Sequence, residues 1–233
     1  TSTSIIVGQA DPLIAAAVAN PILCYGGTTT VTVSATGGIA PYTGTGNFTA
    51  GAGTYNYTVT DANGYSSTAS ITVSQPNALS ASSSAGTILC HNGTTTVTVS
   101  AVGGVAPYTG TGNFIVGAGT YSYQVNDANG CTSTKSITVS EPGVFVASSN
   151  AGTINCNGGT TTITVSATGG TAPYTGTGNY TVTAVTYSYT VTDAAGASST
   201  TSVTVTQPSI LSASASAGAI LCNGATAVVA VSA

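Results

Sequence analysis

Apolar and hydroxyl-bearing residues alternate along much of the chain. Between Thr94 and Ala101, the residues Val97, Val99 and Ala101 alternate with Thr96, Thr98 and Ser100, a period of two that sets one row of side chains on a core and the other in water. The spacing predicts a strand. A second run interleaves Tyr121, Tyr123 and Val125 with Ser122, Gln124 and Asn126, and after Asp127-Ala128-Asn129-Gly130 the alternation resumes at Ile137 and Val139. Two alternating runs around an Asp/Asn/Gly cluster predict a β-hairpin. No window carries apolar residues at i, i+3, i+4 and i+7 between capping residues, so the chain is expected to be all-β, with six or seven short strands per unit. A sheet with one apolar face must bury it against something, so two sheets are expected to face each other as an immunoglobulin-like β-sandwich. The segment Gly119-Thr120-Tyr121-Ser122-Tyr123 fits the penultimate strand of such a sandwich, where a tyrosine often closes the loop.

The pattern repeats with a fixed period. Cys24, Cys90, Cys156 and Cys222 stand 66 residues apart, and Ala-Pro-Tyr-Thr-Gly-Thr-Gly-Asn occurs at 40–47, 106–113 and 172–179 without any insertion between copies. A unit of that length is too long for one rung of a solenoid and near the lower limit of an independently folding domain. Tandem domains are therefore expected: 1-9 as the last strand of a preceding repeat, 11-75, 77-141 and 143-207 as complete repeats, and 209-233 as the start of a fourth. The boundaries fall at Pro76, Pro142 and Pro208. Linkers that short restrict the angle between neighbours and favour an extended, fairly stiff rod.

Composition narrows the function. Only 3% of the 233 residues are charged, and the formal net charge is −4. With 42% hydrophobic residues and regular spacing, the chain lacks the profile of a disordered one. One Lys and no Arg leave no basic surface for phosphates, so neither nucleic acid nor an anionic membrane is an expected partner. Apolar runs are short and broken by Thr, Ser or Gly, well below the roughly 20 residues of a membrane span, and no membrane insertion is expected in this segment. No charged stretch followed by an apolar one opens the sequence, so no signal peptide is expected within it.

The ordered set Cys156-Asn157-Gly158-Gly159-Thr160-Thr161-Thr162, then Gly169-Gly170-Thr171-Ala172-Pro173-Tyr174, then Gly119-Thr120-Tyr121-Ser122-Tyr123, then Asp127-Ala128-Asn129-Gly130-Cys131, and finally Gln75-Pro76 or Glu141-Pro142 resembles the SprB repeat. That family is named for a gliding-motility adhesin. The resemblance covers all three complete copies and the partial ones. It implies a very long protein exported to the surface of Bacteroidota by the type IX secretion system, serving as an adhesin, motility filament or matrix component. The family's second cysteine is kept only at Cys131, and its equivalents here are Tyr65 and Ala197. A disulfide common to every copy is thereby excluded.

Cys90 and Cys131 are the only two cysteines inside one copy, and an oxidising exterior would permit their bond. An immunoglobulin-like order would put the two at opposite ends of the sandwich, beyond the about 7 Å between Cα atoms that a bridge tolerates. Two readings stay open: a Cys90–Cys131 disulfide, or cysteines that serve as small buried apolar residues. Zinc would need Cys-x-x-Cys sets that are missing. Asp61, Asp127 and Asp193 suggest calcium, which takes six to eight oxygens with several carboxylates. Each copy offers essentially one, so a tight turn with Asp and Asn bonded to local backbone is the expectation.

Catalysis has little raw material. His91 is the only histidine, and other copies carry Tyr25, Asn157 and Asn223 in its place, so it reads as a variant of a polar loop. The five acids are too dispersed for paired-carboxylate chemistry. No enzyme activity, cofactor or metal is expected. The Gly37-Gly38 type of pair lacks the helix that phosphate loops use and reads as a bend anchored by Pro-Tyr. Tyr42, Tyr108 and Tyr174 are the candidate surface-contact aromatics, able to line a sugar-binding face if exposed and packing residues if buried. Asn47-Phe48-Thr49 fits a glycosylation sequon. Expected partners are neighbouring repeats, with polysaccharide or other surfaces engaged by avidity and lateral self-assembly through weakly protected edge strands as alternatives. The expected role is the structural or adhesive stalk of a cell-surface protein.

Overall fold

The computed structural model describes residue 3 and residues 8–233; the strand expected at 1-9 lies mostly outside them. The described chain is all-β, with small antiparallel sheets. The first repeat holds β1 (Ile14–Ala19), β2 (Thr29–Thr36), β3 (Gly46–Ala50), β4 (Gly53–Thr60) and β5 (Ser66–Val73). The second holds β6 (Ser80–Ala85), β7 (Thr95–Val102), β8 (Gly112–Val116), β9 (Gly119–Asn126) and β10 (Thr132–Val139). The third holds β11 (Val146–Ala151), β12 (Thr161–Thr168), β13 (Gly178–Val182), β14 (Thr186–Thr192) and β15 (Ser198–Thr204), and β16 (Ser214–Ala217) with β17 (Val229–Ser232) follow.

Five strands per repeat replace the six or seven expected. After β2 the chain turns at Gly37 and Gly38, with φ 70° and 61°, and meets β4 again only at the single bridge of Thr43 to Thr60, with backbone hydrogen bonds of 2.8 and 3.0 Å. The same bend recurs at Gly103-Gly104 and Gly169-Gly170. Packing leaves no room for a side chain there: a Cβ at Gly104 would lie 2.6 Å from Asp127 Oδ2.

Within a repeat, three strands form one sheet in the order β1-β2-β3 and two form another, β4-β5. The expected hairpin is β9 with β10, with Asn126 opposite Thr132 and Gly119 opposite Val139. The two sheets meet where β1 lies beside β5. There the Ser67 hydroxyl accepts the Ala15 N–H at 3.1 Å, and Ser133 and Ser199 do the same for Ala81 and Ala147. Both sheets feed one core: in the first repeat Val31 and Val33 of β2 pack with Ala50, Val59, Val73 and Ile22, and in the third Ile163 and Val165 pack with Val182, Val191, Val205 and Ile154. Val97, Val99, Val125 and Val139 are buried in the second. Burying each such side chain contributes about 1.5–3 kcal/mol, which makes the valine rows the main source of stability in domains this small.

The outer faces carry hydroxyls in place of ions. Thr54 and Thr72, Thr58 and Thr68, and Thr120 and Thr138 pair across strands at 3.0, 3.0 and 2.9 Å. Thr32, Thr98 and Thr164 reach the Asn47, Asn113 and Asn179 side chains at 2.9 Å. Such cross-strand pairs stabilise a sheet without charge.

Packing divides the chain into two compact units, one with residues up to Gly86 and Thr95–Val139, the other with Thr87–Thr94 and the residues from Ser140 onward. The division departs from the 66-residue period: the loop Thr87–Thr94, second-repeat by sequence, belongs to the unit of the third repeat.

Candidate functional site

Two loops of each repeat carry its recurring aspartate and its recurring cysteine. The first is the turn of the last hairpin. Asp61, Asp127 and Asp193 are buried there, 7%, 6% and 5% exposed. Asp127 Oδ1 accepts the N–H groups of Asn129 and Cys131, both at 2.9 Å, and Oδ2 accepts that of Val105 at 2.9 Å. Asp61 does the same for Asn63, Tyr65 and Ile39, and Asp193 for Ala195, Ala197 and Thr171. Burial pushes the Asp61 and Asp127 carboxyls up, and four backbone N–H donors around each outweigh it and hold the pKa below 3.8. For Asp193 the Thr171 N–H is the largest influence and the result is the same direction. These carboxylates spend their oxygens on backbone, as a turn residue does.

The second loop contains the cysteine that precedes the second strand. It closes by the Gly27 N–H donating to the Cys24 carbonyl at 3.0 Å, repeated by Gly93 to Cys90 and Gly159 to Cys156. Its tip needs a left-handed residue, supplied by Gly26, Gly158 and Gly224 and by Asn92 at φ 60°. The residue before each boundary proline caps it: Gln75 Oε1 accepts the Gly26 N–H at 2.8 Å, Glu141 Oε2 the Asn92 N–H at 2.6 Å, and Gln207 Oε1 the Gly158 N–H at 2.7 Å. His91 is thus given a carboxylate partner that its sequence neighbours did not suggest, with Nδ1 3.2 Å from Glu141 Oε1.

The caps place the two loops at opposite ends of a repeat. Gln75 follows β5 and holds the cysteine loop, whereas position 65 precedes β5 and holds the Asp loop. An eight-residue strand spans about 25 Å. A cysteine in each loop of one repeat is far outside bonding range.

The bond forms between repeats. Cys24 is joined to Cys131, 107 residues away, with Cα atoms 5.7 Å apart, and Cys90 is a free thiol. The pairing of Cys90 with Cys131 is therefore corrected: Cys131 is already taken by the cysteine one period upstream. Beside the bridge, Asn129 Nδ2 donates to the Leu23 carbonyl at 2.9 Å, and Cys131 Sγ lies 3.4 Å from the same oxygen. The connection to the next repeat is as tight. Gln75 is bound back to Gly26, and the Asn77 carbonyl is bound forward to the Gly104 N–H at 2.8 Å, with Pro76 alone between them.

In the second unit the loop at Leu89 meets the third repeat in the same way. The Thr171 hydroxyl donates to the Leu89 carbonyl at 2.7 Å, one period after Leu23. Position 195 holds alanine where the second repeat has Asn129, and Thr171 stands where the second repeat has Val105. The acceptor recurs and the donor has moved.

Tyr42, Tyr108 and Tyr174 are half-buried, and each donates its hydroxyl to a backbone carbonyl, Gly37, Gly103 or Gly169, at 2.6 Å. Tyr42 and Tyr174 pack on the cores of their repeats. The Asn129, Thr171, Leu23 and Leu89 contacts carry no motif of their own. The one sequence signal for the bridge is that the second cysteine follows an upstream cysteine by a period plus 41 residues, the distance from Cys90 to Cys131.

No protein-family model matches the chain, and no curated protein matches it.

Proposed function

We propose that this chain is a load-bearing spacer, a run of SprB-type repeats from the stalk of a long bacterial surface protein exported by type IX secretion. In this reading each repeat is an immunoglobulin-like β-sandwich, and serial repeats give an extended rod that supplies length and stiffness. The single observation that carries the reading is the covalent bridge from Cys24 to Cys131, which ties one repeat to the next. A bond that crosses a joint resists separation of the beads, as a stalk under tension requires. Disulfides persist in oxidising compartments, in keeping with an extracellular location. The near absence of free residues around Pro76 supports stiffness in the same sense.

Adhesion through a row of Tyr42, Tyr108 and Tyr174 loses support from the geometry of those rings, since each is half-buried and donates its one hydroxyl proton to a backbone carbonyl. Adhesive contacts are then assigned to other parts of the parent protein. Negative-stain imaging of the purified chain tests the spacer directly. Thin particles with a contour of about three beads in line are expected; a compact globule or a laterally associated polymer would overturn the reading.

A further inference from the structure

We propose that the end-to-end contact between repeats is a socket keyed by one residue position: the cysteine before the second strand of each repeat faces the residue before the last strand of the next, and a cysteine there locks the joint. Cys24 with Cys131 is a locked socket. Cys90 with Ala197 is the same socket left unlocked. The inference goes beyond the spacer reading, because it concerns which joints can open and holds whatever the chain is for.

Both halves of the unlocked socket have the geometry of the locked one. On one side the Gly27 N–H to Cys24 carbonyl bond, 3.0 Å, has its counterpart in Gly93 to Cys90, 2.9 Å. On the other, the Asp127 N–H to Cys131 carbonyl bond, 3.0 Å, has its counterpart in Asp193 to Ala197, 2.9 Å, and the aspartate Oδ1 accepts the N–H of position 131 at 2.9 Å and of position 197 at 2.8 Å. The halves are brought together in each case: Asn129 reaches the Leu23 carbonyl, and Thr171, whose own N–H is held by Asp193, reaches the Leu89 carbonyl. Burial follows the same line. Cys24 and Cys90 are half-buried, whereas Cys156 and Cys222 are exposed. A bridge needs Cα atoms within about 7 Å, and at position 197 the second socket has alanine where the first has its second sulfur.

Closing it is a two-electron oxidation. The thiol of Cys90 and a thiol at position 197 lose two protons and two electrons and form one S–S bond, and oxidised glutathione takes both, becoming two glutathione thiols. The test is the Ala197→Cys variant of the whole chain, folded, treated with oxidised glutathione, then denatured and counted by mass for thiols not joined to another cysteine of the chain, a glutathione adduct on an exposed thiol counting as free. The unmodified chain should show three, Cys90, Cys156 and Cys222. The variant should fall from four to two, and a peptide map should recover the Cys90 peptide linked to the one spanning position 197. Tyr65→Cys is the control: it adds a thiol at the equivalent position of the first repeat, at the end away from Cys24, and should leave four free thiols. Ala197→Ser checks that the loop tolerates a substitution. Four free thiols in a folded Ala197→Cys chain, or linkage of position 197 to Cys156, Cys222 or another molecule, would overturn the socket. Bridging in the Tyr65→Cys control would overturn its directionality. A lock that forms in a chain that images as a globule would uphold the socket and sink only the rod.

Discussion

The Leu23 and Leu89 joints are built from sequences 66 residues apart and nearly identical, yet they are held by different chemistry. At Leu23 the neighbouring repeat contributes Asn129 and a disulfide partner, Cys131; at Leu89 it contributes the hydroxyl of Thr171 and no sulfur. Where Asn129 is replaced by Ala195, Val105 is replaced by Thr171, so one donor is lost and another appears, aimed at the same carbonyl. The comparison shows that the place of the contact is kept while its strength is varied. Cores do not vary in this way: Val31, Val97 and Ile163 occupy one position with none of them exposed. Copies differ elsewhere too, as at Val18, Ser84 and Asn150 in the first strand, but at positions 129, 131 and 171 the differences change how one bead holds the next.

The bridge should have the largest effect. Reduction under native conditions, or Cys131→Ser, is expected to destabilise the first unit by about 2–5 kcal/mol, because a closed loop of more than a hundred residues is released in the unfolded state. The second unit contains no bridge, so its unfolding should be unmoved. Calorimetry with and without reductant separates the two. A uniform drop, or none, would mean that the two joints are mechanically equal after all.

Acid should act on both joints alike. Asp61, Asp127 and Asp193 have carboxyls held below 3.8 in the folded protein. A depressed carboxyl contributes stability that is fully present above its unfolded value and is lost as pH falls through the folded one. Melting temperature should therefore stay flat from neutral pH to about 4 and decline below it. Asp127→Asn should lower stability at pH 7 and make the acid limb of the first unit shallower, leaving the part due to Asp61 and the limb of the second unit. An unchanged acid limb would remove these carboxylates from the account of the joints.

Much of the fold was legible, and the joint was not, for one reason. Val97 and Val99 alternate with threonines, and Tyr121 to Val139 reads as a hairpin, because strand periodicity is local and survives in a single copy. The role of Asp127 was also local, since a turn residue bonds its own next neighbours. The bridge is not local. Treating each copy as closed left Cys131 with Cys90 as its only candidate, and the length of the intervening strand rules that pair out while bringing Cys131 to Cys24 of the preceding copy. Nothing in the residue types around Leu23 and Leu89 marks them, because their carbonyls are backbone and every residue has one. The strand count is lower than the alternation suggests because after Gly37 and Gly38 the chain rejoins a ladder only through the single bridge of Thr43 to Thr60, too short to count as a strand.

The smallest effect is the most diagnostic of the difference between the joints. Thr171→Val and Asn129→Ala each remove one hydrogen bond to a joint carbonyl, worth about 1 kcal/mol when the acceptor is left without a partner. The two losses should not be equal. At Leu23 the disulfide still holds Cys131 within 3.4 Å of the carbonyl oxygen, so the neighbouring repeat stays in place and a water can take over from Asn129. At Leu89 no covalent tie remains, and the loop Thr87–Thr94 loses its only side-chain hydrogen bond to the third repeat among the described contacts. Amide exchange reads this locally. Thr171→Val should raise exchange at the Gly93 amide several-fold, since a loss of about 1 kcal/mol is roughly a factor of five in local opening. Asn129→Ala should leave the Gly27 amide near its original rate while the bridge is intact and accelerate it once the bridge is reduced. Equal acceleration in both variants before reduction would show that the disulfide contributes nothing to holding the joint closed, and that hydrogen bonding alone sets its strength.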